Sequence, residues 1–422
     1  VRGIGAVGMA AAIVNGVVGA GIFTLPAAVA SQIGAAAPVA FLTCAVLMAG
    51  VVICFAEAGS RVPTSGGAYG TVEAAFGPAA GFLTGMLLII SDLLASGGIA
   101  AAVADMAGGL VPALASFTGR LTTILAIYTV ITWANLVGVR TTARLITGAT
   151  AVKLLPLLLF VCLGAYAWQV QQPAGPPLPH ASLTGIGRAM ILAMFAFEGL
   201  ETAVMASGEV RDANRNLPRA LFLAGVFVLT LYLGVQLSAQ HLLGPLLPAS
   251  PAPLADAAAR VSPGFRVLML GAAGVSMMAW MASDVLGTSR LLFAFGRDGA
   301  LPAWFGRLHP RSRVPANAIF AYVGTAILIS ISGTFLELVL LSSLAAIAIY
   351  ILACAAALNL HHRKIALAGA PLNFPALRLA AALGLIGMAW MVVNAQWAEI
   401  GGLVGVIGGS LAMYAVMKQV RK

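Results

Sequence analysis

The chain has 422 residues, of which 61% are hydrophobic and only 9% charged, whereas soluble proteins carry about a quarter charged residues. At roughly 20 apolar residues per crossing, the length accommodates about 12 spans and leaves little for a soluble domain. This excludes a cytosolic enzyme, a nucleic-acid binder and a single-pass receptor, and makes the net charge of +10 a signal of topology rather than of polyanion binding.

Taken in chain order by apolar runs and their Gly, Pro and charge punctuation, spans are predicted near 4–30, 38–58, 79–106, 121–138, 147–168 and 186–209. A second set follows near 218–240, 266–296, 315–332, 336–359, 376–396 and 400–417. The first run carries an internal Asn15-Gly16 interruption, unlike a cleavable leader, and is read as part of the mature fold. Cys44, Cys54, Cys162 and Cys354 all fall inside apolar stretches without metal or redox spacing, so no disulfide is expected.

Sorting the basic residues by alternate sides places eighteen on one side and four, Arg120, Arg188, Arg260 and Arg266, on the other. By the positive-inside rule both termini are expected in the cytoplasm. Lys153 is the basic residue that falls well within a span.

Spans one and six share an unusual feature, a helix-unfriendly stretch in mid-membrane: Asn15-Gly16-Val17-Val18-Gly19-Ala20-Gly21 in one and Phe197-Glu198-Gly199 in the other. They are offset by five spans, an odd number, so the second copy enters from the opposite side. The fold class expected is therefore an all-α polytopic membrane protein built on a 5+5 inverted repeat. Its halves are residues 1–168 and 186–359, with helices one and six discontinuous and residues 376–417 appended. Paired interruptions of this kind point to a transporter binding site; small residues that only let helices pack closely are the alternative reading.

The motifs around these breaks resemble those of the amino acid–polyamine–organocation (APC) superfamily of permeases, which have the leucine-transporter fold. They are Gly19-Ala20-Gly21-Ile22-Phe23, Glu57-Ala58-Gly59-Ser60-Arg61-Val62-Pro63-Thr64-Ser65-Gly66-Gly67-Ala68-Tyr69, Phe195-Ala196-Phe197-Glu198-Gly199, Glu209-Val210, Asn216-Leu217-Pro218-Arg219-Ala220, and Ser289-Arg290 with Arg297-Asp298-Gly299. A half-helix N-terminus suits a carboxylate and a half-helix C-terminus an ammonium group. The resemblance implies carboxylate contacts from Ala20 and Gly21, with Gly19 permitting close approach. It implies amine contacts from the backbone of Val17, Phe195, Ala196 and Glu198 at the Gly199 break, with Phe195 also placed as a gate.

Intramembrane ionisable residues are functional hypotheses by default. The resemblance places Lys153 where sodium-coupled relatives bind a cation, bridging span one to span eight and making a proton the expected coupling ion; snorkelling is its bland alternative. Ser283 and Asp284 fall near the corresponding part of span eight, where an aspartate departs from the family and could pair with Lys153. Glu198 departs as well, and with Asp92 in span three it could favour cationic substrates. Glu201 is read as structural, and Arg61, Arg290 and Arg297 as a cytoplasmic gate pairing with Asp298, Glu209 or Asp212. His361 and His362 are explained by a helix dipole.

The expected function is secondary active transport of amino acids by alternating access, as proton-coupled or sodium-independent uptake of small neutral L-amino acids. An exchanger or exporter, and a cationic amino acid or polyamine antiporter, remain open, as does a transport-dead sensor. An intramembrane hydrolase lacks H-E-x-x-H and G-x-S-x-G. No cofactor, metal or nucleic-acid partner is expected. The partners are an amino acid substrate and the lipid bilayer, in an inner-membrane protein that is a monomer or weak dimer.

Overall fold

A computed structural model describes residues 5–62, 67–137, 139–170, 183–199, 213–310, 313–367 and 371–420. Eight helices are long and apolar enough to cross a membrane, and four shorter apolar helices accompany them. Twelve apolar helical segments are therefore described, in an integral multi-pass protein.

The first span is two helices. α1 (Ala6–Val17) stops where Val18 leaves helical geometry, and a single 3-10 turn over Gly21–Phe23 leads into α2 (Leu25–Ile33). Pro26 in the first turn of α2 costs no hydrogen bond there. α3 (Ala37–Arg61) is the second span. It is followed by α4 (Gly67–Phe76), a short helix where the sequence predicted only a connection. Gly77 terminates α4 at φ +93°, its N–H donating to Glu73 O at 2.7 Å, a left-handed helix stop that favours glycine.

α5 (Pro78–Leu110), α6 (Phe117–Val137) and α7 (Val139–Val170) are spans three to five, and α8 (Leu183–Phe197) is the first half of span six. The second half of span six lies outside the described residues, with Glu201, Glu209 and Asp212. α9 (Ala213–Leu243) is span seven, and a short α10 (Pro253–Ala259), also not predicted, precedes span eight, α11 (Pro263–Arg297). Ser262 caps α11 by accepting from Phe265 N at 3.1 Å.

α12 (Ala316–Ser332), α13 (Phe335–His362), α14 (Leu377–Val393) and α15 (Trp397–Val420) complete the bundle. Thr334 and Glu337 close a reciprocal capping box at the start of α13. The most apolar window of α13 is 72% buried and that of α15 only 6%. The core therefore runs along α13 and its neighbour α5, and α15 stands at the rim with its apolar surface turned to lipid. The four cysteines are free thiols, Cys162 on the exposed surface and the others buried.

Candidate functional site

The breaks in spans one and six meet. Gly199 adopts φ +101°, and a Cβ there would stand 3.1 Å from Gly16 O, so both the backbone conformation and the close approach require glycine. The two breaks thus form one irregular backbone patch inside the bundle, allowed at membrane depth because it lines a cavity. That cavity encloses about 950 Å³. It runs from Gly16, Gly19, Gly21 and Gly199 toward the end of the bundle that carries Arg290, Arg297 and Arg313.

At the break, Val18 N still closes the last turn of α1 on Val14 O at 2.9 Å, and Phe23 N and Thr24 N bond to Ala20 O and Gly21 O. Among the described residues the amides of Gly19, Ala20, Gly21 and Ile22 donate to no carbonyl. Four consecutive amides at the start of a half-helix form an anion-binding device, and Gly19, Ala20 and Gly21 lie on the cavity wall. Aromatic rings close over it. A Cβ on Gly21 would come within 3.0 Å of Phe195 Cδ1, and one on Gly19 within 3.0 Å of Trp280 Cδ1. The Phe195 and Trp280 rings themselves are 6.5 Å apart.

The carbonyls on the other side of the break are held by three side chains from three different spans. Lys153 of α7, 8% exposed, donates to Asn15 O at 2.6 Å. Tyr232 of α9, fully buried, reaches Val17 O at 3.1 Å and Ala196 O at 2.8 Å. Ser276 of α11 donates to Gly19 O at 3.3 Å. Tyr232 therefore ties the C-terminal end of α1 to that of α8 through one hydroxyl. The sequence reading missed it, although a tyrosine flanked by Leu231 and Leu233 needs a partner for its hydroxyl in mid-membrane.

Several expectations are corrected by these contacts. Val17, Phe195, Glu198 and Gly199 lie on the cavity wall, but Ala196 does not; it is 3% exposed and its carbonyl is taken by Tyr232. Lys153 bridges to span one, and among the described residues it bonds neither to span eight nor to Asp284. Asp284 instead accepts from the Tyr322 hydroxyl of α12, while the one Thr288 hydroxyl proton goes to Asp92 Oδ2 at 2.5 Å, with Asp284 Oδ1 at 3.4 Å from the same oxygen. Ser283, Asp284 and Asp92 line the cavity. Glu198 joins them there, its Oε1 accepting from Ser343 Oγ of α13 at 3.3 Å. Three carboxylates therefore face one cavity, brought from spans three, six and eight.

Arg61, expected at the cytoplasmic gate, has other partners than Asp298 in this structure, and Glu209 and Asp212 lie outside the described residues. It pairs with Glu57 one turn back in α3 at 2.8 Å, both side chains being almost fully buried. It also donates to Asn373 Oδ1 at 2.6 Å and Ile365 O at 3.3 Å. Glu57 accepts in turn from Phe374 N at 3.0 Å, and His361 Nδ1 lies 3.2 Å from its Oε1. This clamp fastens the connection between α13 and α14 to the end of α3, and gives His361 a partner beyond the helix dipole. Arg290 and Arg297 do stand at the cavity mouth, with Arg297 paired to Asp298 at 2.9 Å.

Comparison with known proteins assigns the family. An amino acid permease family model matches residues 4–417. An uncharacterized transporter of Mycobacterium tuberculosis is 28% identical over 405 residues, covering 95% of this chain and 88% of that protein. The human large neutral amino acids transporter small subunit 2 is 25% identical, and the mouse Asc-type amino acid transporter 1 is 27% identical. Each of those two matches covers 79% of this chain and 65% of the relative's own length. With the family match spanning nearly its whole length and the paired helix breaks opening on one cavity, the chain belongs to the amino acid permease family of the APC superfamily and is a transporter, not an enzyme.

Proposed function

We propose that the protein takes up small neutral L-amino acids by alternating access, coupled to protons and independent of sodium. It does so from an inner membrane, with both termini in the cytoplasm. The observation that carries this reading is the run of free amides at Gly19–Ile22, of which Gly19, Ala20 and Gly21 lie on the cavity wall, a cradle for the α-carboxylate that all amino acids share. The glycines beside it admit a carboxylate, and the cavity supplies room for a small side chain against Phe195 and Trp280. The printed name of the human relative, a large neutral amino acids transporter subunit, supports a neutral substrate and does not bear on the small size proposed here.

Lys153 on Asn15 O supports the coupling assignment. An ammonium group there puts a titratable charge on a carbonyl near the C-terminal end of α1, and loss of its proton would bias one arrangement of the bundle over another. The halves 1–168 and 186–359 would rock against each other about the breaks, with 376–417 at the periphery. The cavity opens to the basic end, so the conformation corresponds to the cytoplasm-facing state under the positive-inside assignment.

A second reading, transport of cationic amino acids, is favoured by Asp92, Asp284 and Glu198 on the cavity wall. One experiment separates the two: counterflow of a panel of labelled neutral and basic amino acids in proteoliposomes, with and without a pH gradient, in sodium-free buffer. Neutral amino acids that accumulate with an inward proton gradient support the first reading, and basic ones the second. Strict sodium dependence refutes the coupling assignment. Lys153→Ala is expected to lower gradient-driven uptake more than equilibrium binding, and full gradient-driven uptake in that variant would make the lysine merely structural.

A further inference from the structure

A second concavity, of about 400 Å³, lies away from the transport cavity at the basic end of the bundle, between the last turns of α13 and the first turns of α14. Its walls are Leu358, His361, His362, Arg378, Ala382 and Leu385. The helical register sorts them by depth. Leu358 lies one turn inside the two histidines, and Ala382 and Leu385 follow Arg378 at +4 and +7 on one helix face. At 1.5 Å per residue, Leu385 is about 10 Å deeper in the bundle than Arg378. Cationic and imidazole groups therefore stand at the rim and hydrocarbon lines the floor.

The charge around the groove is of one sign. Arg378 makes no ion pair among the described residues, and neither do Arg363 and Lys364, which follow the histidines. The nearby acid, Glu57, is fully buried in its clamp with Arg61. His361 offers Nδ1 to that clamp and so has Nε2 left for the groove. The carbonyls at the end of α13 are occupied, with Arg363 N, Lys364 N and Ile365 N closing on Asn359 O, His361 O and Leu360 O. Beside the groove, Leu379, Leu383 and Ile386 of α14 are 65%, 41% and 71% exposed, the face that meets acyl chains.

We propose that this groove holds an anionic glycerophospholipid of the surrounding bilayer, its phosphate on Arg378 and His362 and the upper part of an acyl chain on Leu358, Ala382 and Leu385. An arginine fork matches a phosphate in bidentate geometry, and basic pockets between helices at a membrane surface select anionic head groups. Because His361 belongs to both groove and clamp, the lipid would brace the junction of α3, α13 and α14.

The test uses the delipidated full chain in neutral detergent, with native mass spectrometry and thermal unfolding as readouts. The added probes are phosphatidylglycerol, phosphatidylcholine with the same acyl chains, and inorganic phosphate. The wild type is expected to retain phosphatidylglycerol in preference to phosphatidylcholine and to unfold at a higher temperature with it, while inorganic phosphate has no such effect. Arg378→Gln is expected to reduce the preference about fivefold, and His362→Gln to reduce it as well. Lys418→Gln, a basic residue on α15 outside the groove, is expected to leave it unchanged. Equal retention of the two lipids, an undiminished preference in Arg378→Gln that unfolds normally in phosphatidylcholine, an equal loss in Lys418→Gln, or stabilisation by phosphate alone would each overturn the proposal.

Discussion

Bulk placed at Gly21 should abolish high-affinity substrate binding without unfolding the protein. A Cβ at this position would meet Phe195 Cδ1 at 3.0 Å, Leu25 Cδ1 at 3.1 Å and Phe195 Cε1 at 3.3 Å, all inside the ~3.5–4.0 Å optimum for carbon pairs. Alanine therefore requires the ring to give by about 0.5 Å, and valine adds two further carbons next to the free amides. Overpacking of this kind costs about 1–3 kcal/mol, equivalent to roughly 5- to 150-fold in an equilibrium constant. The loss should appear in binding, since Phe195 and Gly21 both line the cavity. Gly19→Ala, which meets Trp280 Cδ1 at 3.0 Å, should weaken binding to a similar degree. Gly16→Ala meets only Gly199 O at 3.8 Å and should be mild, and Gly225→Ala on α9, with nothing within 4 Å, is the control. Equilibrium binding of the amino acid that scores best in counterflow, measured on variants that remain monodisperse in detergent, provides the ranking. In a double-mutant cycle, Phe195→Leu should recover part of the loss in Gly21→Ala. If Gly21→Val binds with wild-type affinity, or if Gly225→Ala is as damaging as Gly21→Ala, the carboxylate is not bound at this break.

Removing the Tyr232 hydroxyl leaves Val17 O and Ala196 O without their shared donor. Tyr232→Phe should cost about 1–3 kcal/mol in detergent unfolding, and an unchanged unfolding midpoint would show that the two half-helices are held in some other way. Glu198→Gln preserves size and hydrogen-bonding capacity while removing a charge from the cavity. It should shift preference away from basic amino acids in the counterflow panel, and an unaltered ranking with an unaltered pH profile would count against any electrostatic role. Arg61→Ala leaves the Glu57 carboxylate buried without its cation and should destabilise by about 3–5 kcal/mol. It should do so without changing substrate ranking, and a changed ranking would return Arg61 to the transport pathway.

The sequence by itself determined what is local along the chain. Hydropathy gave twelve apolar segments because each crossing must satisfy its own backbone hydrogen bonds and present hydrocarbon to lipid. The glycine-rich stretch at 15–21 and the Glu198-Gly199 pair marked the breaks because glycine favours irregular backbone, and at Gly199 both the positive φ and the 3.1 Å approach of a Cβ to Gly16 O require it. Only the tertiary structure decided which side chains serve those breaks. Tyr232, Lys153 and Ser276 lie far from residues 15–19 in sequence, yet each holds one of their carbonyls or a neighbour's. Asp284 turned to Tyr322 rather than to Lys153, and Arg61 turned inward to Glu57 and the α13–α14 connection rather than to Asp298. The reason is physical. Helices such as α5 and α13 are apolar nearly all round, so their periodicity does not tell which face meets which neighbour. The partner of a buried polar group is fixed only when packing sets the rotation of each helix about its own axis.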